Sequence, residues 1–92
     1  MTKKGPAKVL IIEDHPLLRQ GVTALINGEK DLQVCGEVND PRQAIDAAQK
    51  HQPDVVLLDL SLQGTSGIEV LKNLKVHFPK LPVLILSMHD EV

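Results

Sequence analysis

Aromatic side chains are almost missing from these 92 residues: there is no Trp, no Tyr and a single Phe, Phe78. Bases would have nothing to stack on. The 10 Lys and Arg form no dense block beyond Lys3, Lys4 and Lys8, and with 12 acids the formal charge is −2. A nucleic-acid surface is not visible in such a segment. Cysteine is equally scarce, and Cys35 alone cannot form an internal disulfide, which fits a reducing, cytoplasmic setting. No apolar run approaches membrane-spanning length. The basic lead-in MTKKGPAK meets the acids at 13 and 14 before any apolar core of signal-peptide length, so it does not read as a signal peptide. Residues 1–7 are expected to be a disordered tail.

At 42% hydrophobic and 24% charged, the composition is that of an ordinary globular chain, and the length suits one small domain. The organisation is an alternation. Val9 to Ile12 is a short apolar run, expected to be a buried strand. Leu17, Leu18, Gly21, Val22, Leu25 and Ile26 recur at helical spacing, with Gly28 placed to stop the helix. LQVCGEV alternates, with Leu32, Val34, Gly36 and Val38 on one side and Gln33, Cys35 and Glu37 on a wet face. Asp40 suits an N-cap and Pro41 a first helical residue, opening a helix with Ala44, Ile45, Ala47 and Ala48 inward. Val55 to Leu58 is a third strand. Gly67, Ile68, Leu71, Leu74 and Phe78 mark a third helix, ended by Pro79, and PVLILS is a fourth strand. Strand and helix in strict turn predict an α/β fold, an open doubly wound parallel sheet with helices on both faces.

In such a sheet, ligands bind beyond the carboxyl ends of the strands, where strand order reverses. Glu13 and Asp14 follow the first strand and Asp59 follows the third. If those strands are neighbours, as in the flavodoxin-like order 2-1-3-4-5, the three carboxylates converge. Clustered like charges repel, and a hard divalent cation relieves them, which reads as a Mg²⁺ site. The plainer alternative is that Glu13 and Asp14 only cap the first helix. A carboxylate beside Mg²⁺ can also be a nucleophile toward phosphorus. Ser87, at the end of the fourth strand, is positioned to donate a hydrogen bond to a phosphoryl oxygen, or else is an ordinary turn serine.

LIIEDHP, PDVVLLDLSLQGTSGIEVL and PVLILSMHD together resemble the receiver domain of bacterial two-component response regulators. LSMHD and HPLLRQGV resemble more narrowly the subfamily whose receivers precede a LuxR-type helix-turn-helix. The resemblance runs from about Lys8 to Asp90. It implies that Asp59 accepts a phosphoryl group from a sensor histidine kinase. It implies that Glu13, Asp14, Asp59 and the backbone carbonyl of Ser61 surround Mg²⁺, with Ser87 as the switch hydroxyl. The chain would then be a signalling module, not an enzyme, with DNA read by an output domain beyond Val92.

Two departures stand out. The register of Gln63 usually holds a proline in this family, and Gly64 and Gly67 are expected to supply turn freedom instead. The family's lysine on a fifth strand has no counterpart here. Residues 8–92 are thus expected to be a receiver lacking its C-terminal helix–strand–helix portion, with a bare fourth strand and a tendency to self-associate. The competing functions are a receiver-like interaction module that is not phosphorylated and a Mg²⁺-dependent phosphohydrolase with an Asp nucleophile. His15, His51, His77 and His89 show no zinc spacing. His15 and His89 border the acidic site and would tune access to it. Cys35 reads as a packed strand residue.

Overall fold

The computed structural model describes residues 5–60 and 67–86. Apolar runs become strands and 3.6-periodic segments become helices in the expected sequence: β1 (Ala7–Ile12), α1 (Pro16–Asn27), β2 (Leu32–Val38), a 3₁₀ turn (Pro41–Gln43), α2 (Ala44–His51), β3 (Val55–Asp59), α3 (Gly67–His77) and β4 (Val83–Leu86). The strands form one parallel sheet in the order β2-β1-β3-β4. The order reverses between β1 and β3, as the flavodoxin-like reading requires.

The core lies on the α2–α3 side of the sheet. Leu10 and Ile12 of β1 and Val56 and Leu58 of β3 meet Ala44, Ala48, Val70 and Leu74 there. Each buried Leu or Ile contributes about 1.5–3 kcal/mol relative to exposure. The small Ala44 and Ala48 are what let α2 approach the sheet, both being buried. Asp40 caps the segment as expected, its carboxylate accepting from Arg42 N–H at 2.9 Å, but the first turn after Pro41 is 3₁₀ and the α-helix begins only at Ala44. β3 is tied to β1 at its start by a reciprocal pair: Lys8 N–H donates to the Asp54 carboxylate at 2.7 Å, and Asp54 N–H donates to Lys8 C=O at 2.8 Å.

Three findings refine these expectations. The alternation of LQVCGEV does not hold along its length. Val9 stands opposite Val34, but Leu10 stands opposite Gly36, so one extra residue of β2 is inserted at Cys35. A bulge of this kind switches the faces. Leu32 and Val34 accompany Ala7 and Val9, while Gly36 and Val38 accompany Leu10 and Ile12. Cys35 therefore leaves the wet face and packs against the core, as its reading as a packed strand residue expects, and burial raises its thiol pKa above the ordinary value, with Lys8 opposing. Second, the apolar stripe of α1 is only half used. Leu18, Val22 and Ile26 are partly covered, whereas Leu17 is 83% and Leu25 74% exposed. Third, Gly67 is buried without left-handed backbone; among the described glycines only Gly5 has positive φ. Its role is close approach, since a Cβ there would lie 2.5 Å from Leu60 Cα.

β4 forms the far edge of the sheet among the described residues, and its side chains are the least covered of any strand: Leu84 is 60% and Ile85 42% exposed. No helix among the described residues is long and apolar enough to cross a membrane.

Candidate functional site

Ile12 is the parallel partner of Leu58, so the next residues of the two strands, Glu13 and Asp59, arrive side by side at the carboxyl edge of the sheet. The backbone of Glu13 is fixed at both ends. Its N–H donates to Val38 C=O at 2.9 Å, and its C=O accepts from the Arg19 guanidinium at 3.0 Å. Asp59 is held as the last residue of β3, opposite Leu86 of β4. Asp14 follows Glu13 directly. One atom from each of Glu13, Asp14, His15 and Asp59 lies within 4.8 Å of every other.

Neither acid caps α1. The N-cap is His15, whose side chain makes no capping hydrogen bond, and the first turn contains no acid. The plainer alternative for Glu13 and Asp14 is thereby set aside. Burial grades inward across the cluster: the side chain of His15 is 45% exposed, Asp14 16%, Glu13 1% and Asp59 0%. Buried carboxylates this close cannot all ionise freely. Burial, and then the neighbouring Asp59 carboxyl, raise the pKa of Glu13 above the usual carboxylate value, while hydrogen bonds from His15 oppose the rise. The hydrogen bond to Glu13 in turn raises the pKa of His15 above that of an ordinary imidazole.

Of the residues expected from sequence, the fold gathers Glu13, Asp14 and Asp59. Ser61, Gln63, Gly64, Ser87 and His89 lie outside the described residues. His15 lies at the outer border of the site, with its Nδ1 2.5 Å from Glu13 Oε2, 3.2 Å from Asp14 Oδ1 and 3.5 Å from Asp59 Oδ2. A search for paired histidines passes over a single histidine among acids. The available signal was Pro16, which restricts the backbone of the residue before it.

The donor set is suited to a hard cation. Ligand atoms on one Mg²⁺ ion, each about 2.1 Å from it, lie no more than about 4.2 Å apart. The gathered ligand atoms lie within 4.8 Å of one another, a spread that a small contraction around an ion would close, and Glu13 Oε1 is buried without a hydrogen-bond partner. The residues fit the ion.

A doubly wound parallel sheet with acids gathered at its order reversal defines a flavodoxin-like α/β domain with a candidate ligand site at its switch point. Comparison with known proteins narrows the class: residues 9–92 match the response regulator receiver domain, and the chain belongs to that family. It is 40% identical over 93 residues to the nitrate/nitrite response regulator protein NarL of Escherichia coli K12, covering 99% of this chain and 43% of NarL. Among solved structures, a LuxR-family two-component response regulator from Aurantimonas superimposes with a TM-score of 0.86 at 30% identity, over 92% of this chain and 61% of that one. The isolated receiver domain of RcsB from Salmonella enterica, solved with the phosphomimetic BeF₃⁻, gives 0.84 at 30% identity, over 94% and 64%. The chain thus spans less than half the length of the curated NarL it matches. The relatives named here are response regulators.

Proposed function

We propose that this chain is a phosphoacceptor: Asp59 takes a phosphoryl group from a sensor histidine kinase, with Mg²⁺ held by Glu13, Asp14 and Asp59 and, by family resemblance, the Ser61 carbonyl. The observation that carries the reading is the convergence of three carboxylates at the ends of two adjacent strands. Mg²⁺, when bound, supplies the positive charge that offsets the carboxylates and draws in phosphoryl oxygens.

The chain's own groups do the rest. An Asp59 carboxylate oxygen forms the new O–P bond as the P–N bond of the donor phosphohistidine breaks, and the electron pair leaves with the donor's imidazole nitrogen. Glu13 and Asp14 act in this reading as oxygen ligands of the ion, with the Glu13 backbone held by Arg19 and Val38. Ser87 is the hydroxyl proposed to follow the phosphate. The output is a changed surface, read in the cytoplasm by a DNA-binding domain outside this segment. RcsB supports that part of the reading, having been solved bound to the promoter rprA.

Incubation with a phosphoramidate donor, followed by intact mass spectrometry, tests the proposal. One stable phosphoryl adduct that requires Mg²⁺ and is lost in Asp59→Asn is expected. Continuous release of inorganic phosphate at an enzymatic rate would indicate a hydrolase, and no adduct would indicate an interaction module that is not phosphorylated.

A further inference from the structure

We infer that His15 is a nitrogen ligand of the acidic site, so that the site binds cations with an affinity for imidazole, such as Ni²⁺, more tightly than its carboxylates alone would. The inference rests on reading Glu13, Asp14 and Asp59 as a cation site and concerns which cations that site selects.

Geometry carries it. His15 Nδ1 stands 2.5, 3.2 and 3.5 Å from one oxygen each of Glu13, Asp14 and Asp59. Ligands at right angles on an ion with bonds of about 2.1 Å are about 3 Å apart, so once an ion displaces the proton shared with Glu13, a shift of about 0.5 Å from that oxygen would make the nitrogen a fourth neighbour in a coordination shell. The position is built rather than incidental. His15 is the N-cap of α1, with Pro16 behind it. Its backbone N–H donates to Glu13 Oε2 at 2.8 Å, the same oxygen that its ring contacts. Two points of attachment aim the ring. The other Glu13 oxygen, Oε1, is buried without a hydrogen-bond partner, an acceptor that an ion could satisfy.

The chemistry of selection follows from ligand type. Carboxylate oxygens suit Mg²⁺, Ca²⁺ and Mn²⁺, whereas imidazole adds affinity for Ni²⁺, Zn²⁺ and Cu²⁺. Ligation through Nδ1 leaves Nε2 to carry the ring hydrogen. With the side chain 45% exposed, the ring can turn outward when a hard ion does not need it. His15 would thus separate two groups of metals at one site without altering the oxygen ligands.

Calorimetric titration of this chain with Ni²⁺ and, separately, Mg²⁺ at one pH tests the inference in wild type, His15→Gln, His15→Ala and Asp14→Asn. Expected is a Ni²⁺ event weakened about tenfold or more in both His15 variants and also in Asp14→Asn, with Mg²⁺ affinity not weakened by the His15 variants. The Asp14→Asn arm separates this event from Ni²⁺ bound at other histidines. Equal Ni²⁺ affinity in wild type and both His15 variants, with Mg²⁺ still bound, would overturn the role of His15 alone. Loss of Mg²⁺ binding in wild type would overturn the underlying site instead. A Ni²⁺ event that still required both His15 and Asp14 would then uphold the nitrogen ligand.

Discussion

Gly67, the first residue of α3, lies against Leu60, the residue after Asp59, so closely that a Cβ on Gly67 would sit 2.5 Å from Leu60 Cα and 2.9 Å from its carbonyl oxygen. Both obstacles are backbone, so a side chain cannot simply swing away. Gly67→Ala should therefore push Leu60 outward and drag the end of β3 with it. Overpacking of this kind costs about 1–3 kcal/mol. Urea unfolding would measure that loss, and phosphoramidate labelling should slow in the same variant. Full stability with full labelling would mean that this contact does not set the position of Asp59.

Divalent metal should stabilise the fold, because an ion that binds only the native state shifts unfolding by mass action, by about 2.7 kcal/mol at a hundredfold excess over Kd. Melting curves with Mg²⁺ and with EDTA check this. The shift should vanish in Asp14→Ala. An equal shift in that variant would move the ion elsewhere.

The apolar edge of β4 carries a prediction about association. Leu84 and Ile85 are exposed on a strand with no further described neighbour, and such edges recruit other chains. We propose that this chain self-associates through β4. Sedimentation at several concentrations should show dimers or larger species, and Leu84→Lys should shift them toward monomer. A wild-type monomer at every concentration would contradict the proposal.

Asp40 gives the clearest pH effect. The hydrogen bond from the Arg42 side chain, and then that from the Arg42 backbone N–H, hold the pKa of its carboxylate below the ordinary value. A pKa depressed in the folded state contributes stability that is present above the unfolded value of 3.8 and is lost as pH falls through the lower folded value. Asp40→Ala should thus melt earlier than wild type at neutral pH, and the two curves should converge below pH 3.8. A gap that persisted in acid would assign the effect to backbone packing.

Much of this was legible in the sequence, and the exceptions have physical reasons. Four apolar runs gave the strands, and the acids after two of them marked the reversal point, because burial leaves little other use for a carboxylate there. The bulge at Cys35 was not legible. Its alternating pattern is intact, and the slip arises only from pairing with β1. On α1, two apolar residues fall in each turn, but the sheet covers only the edge with Leu18, Val22 and Ile26, which leaves Leu17 and Leu25 outside. The contacts of the His15 ring were not legible, because ring position depends on the N-cap backbone of α1, a three-dimensional property. Gly67 was legible as special but for the wrong reason: spacing suggested turn freedom, and the fold uses its missing side chain.

The most direct test of the account is where the phosphoryl group goes. After labelling with phosphoramidate and Mg²⁺, borohydride reduction converts an aspartyl phosphate to homoserine, which peptide mass spectrometry can map. The account predicts homoserine at position 59 and nowhere else, with none when Mg²⁺ is replaced by EDTA. Homoserine at position 14, or a phosphoryl adduct that resists borohydride, would contradict it.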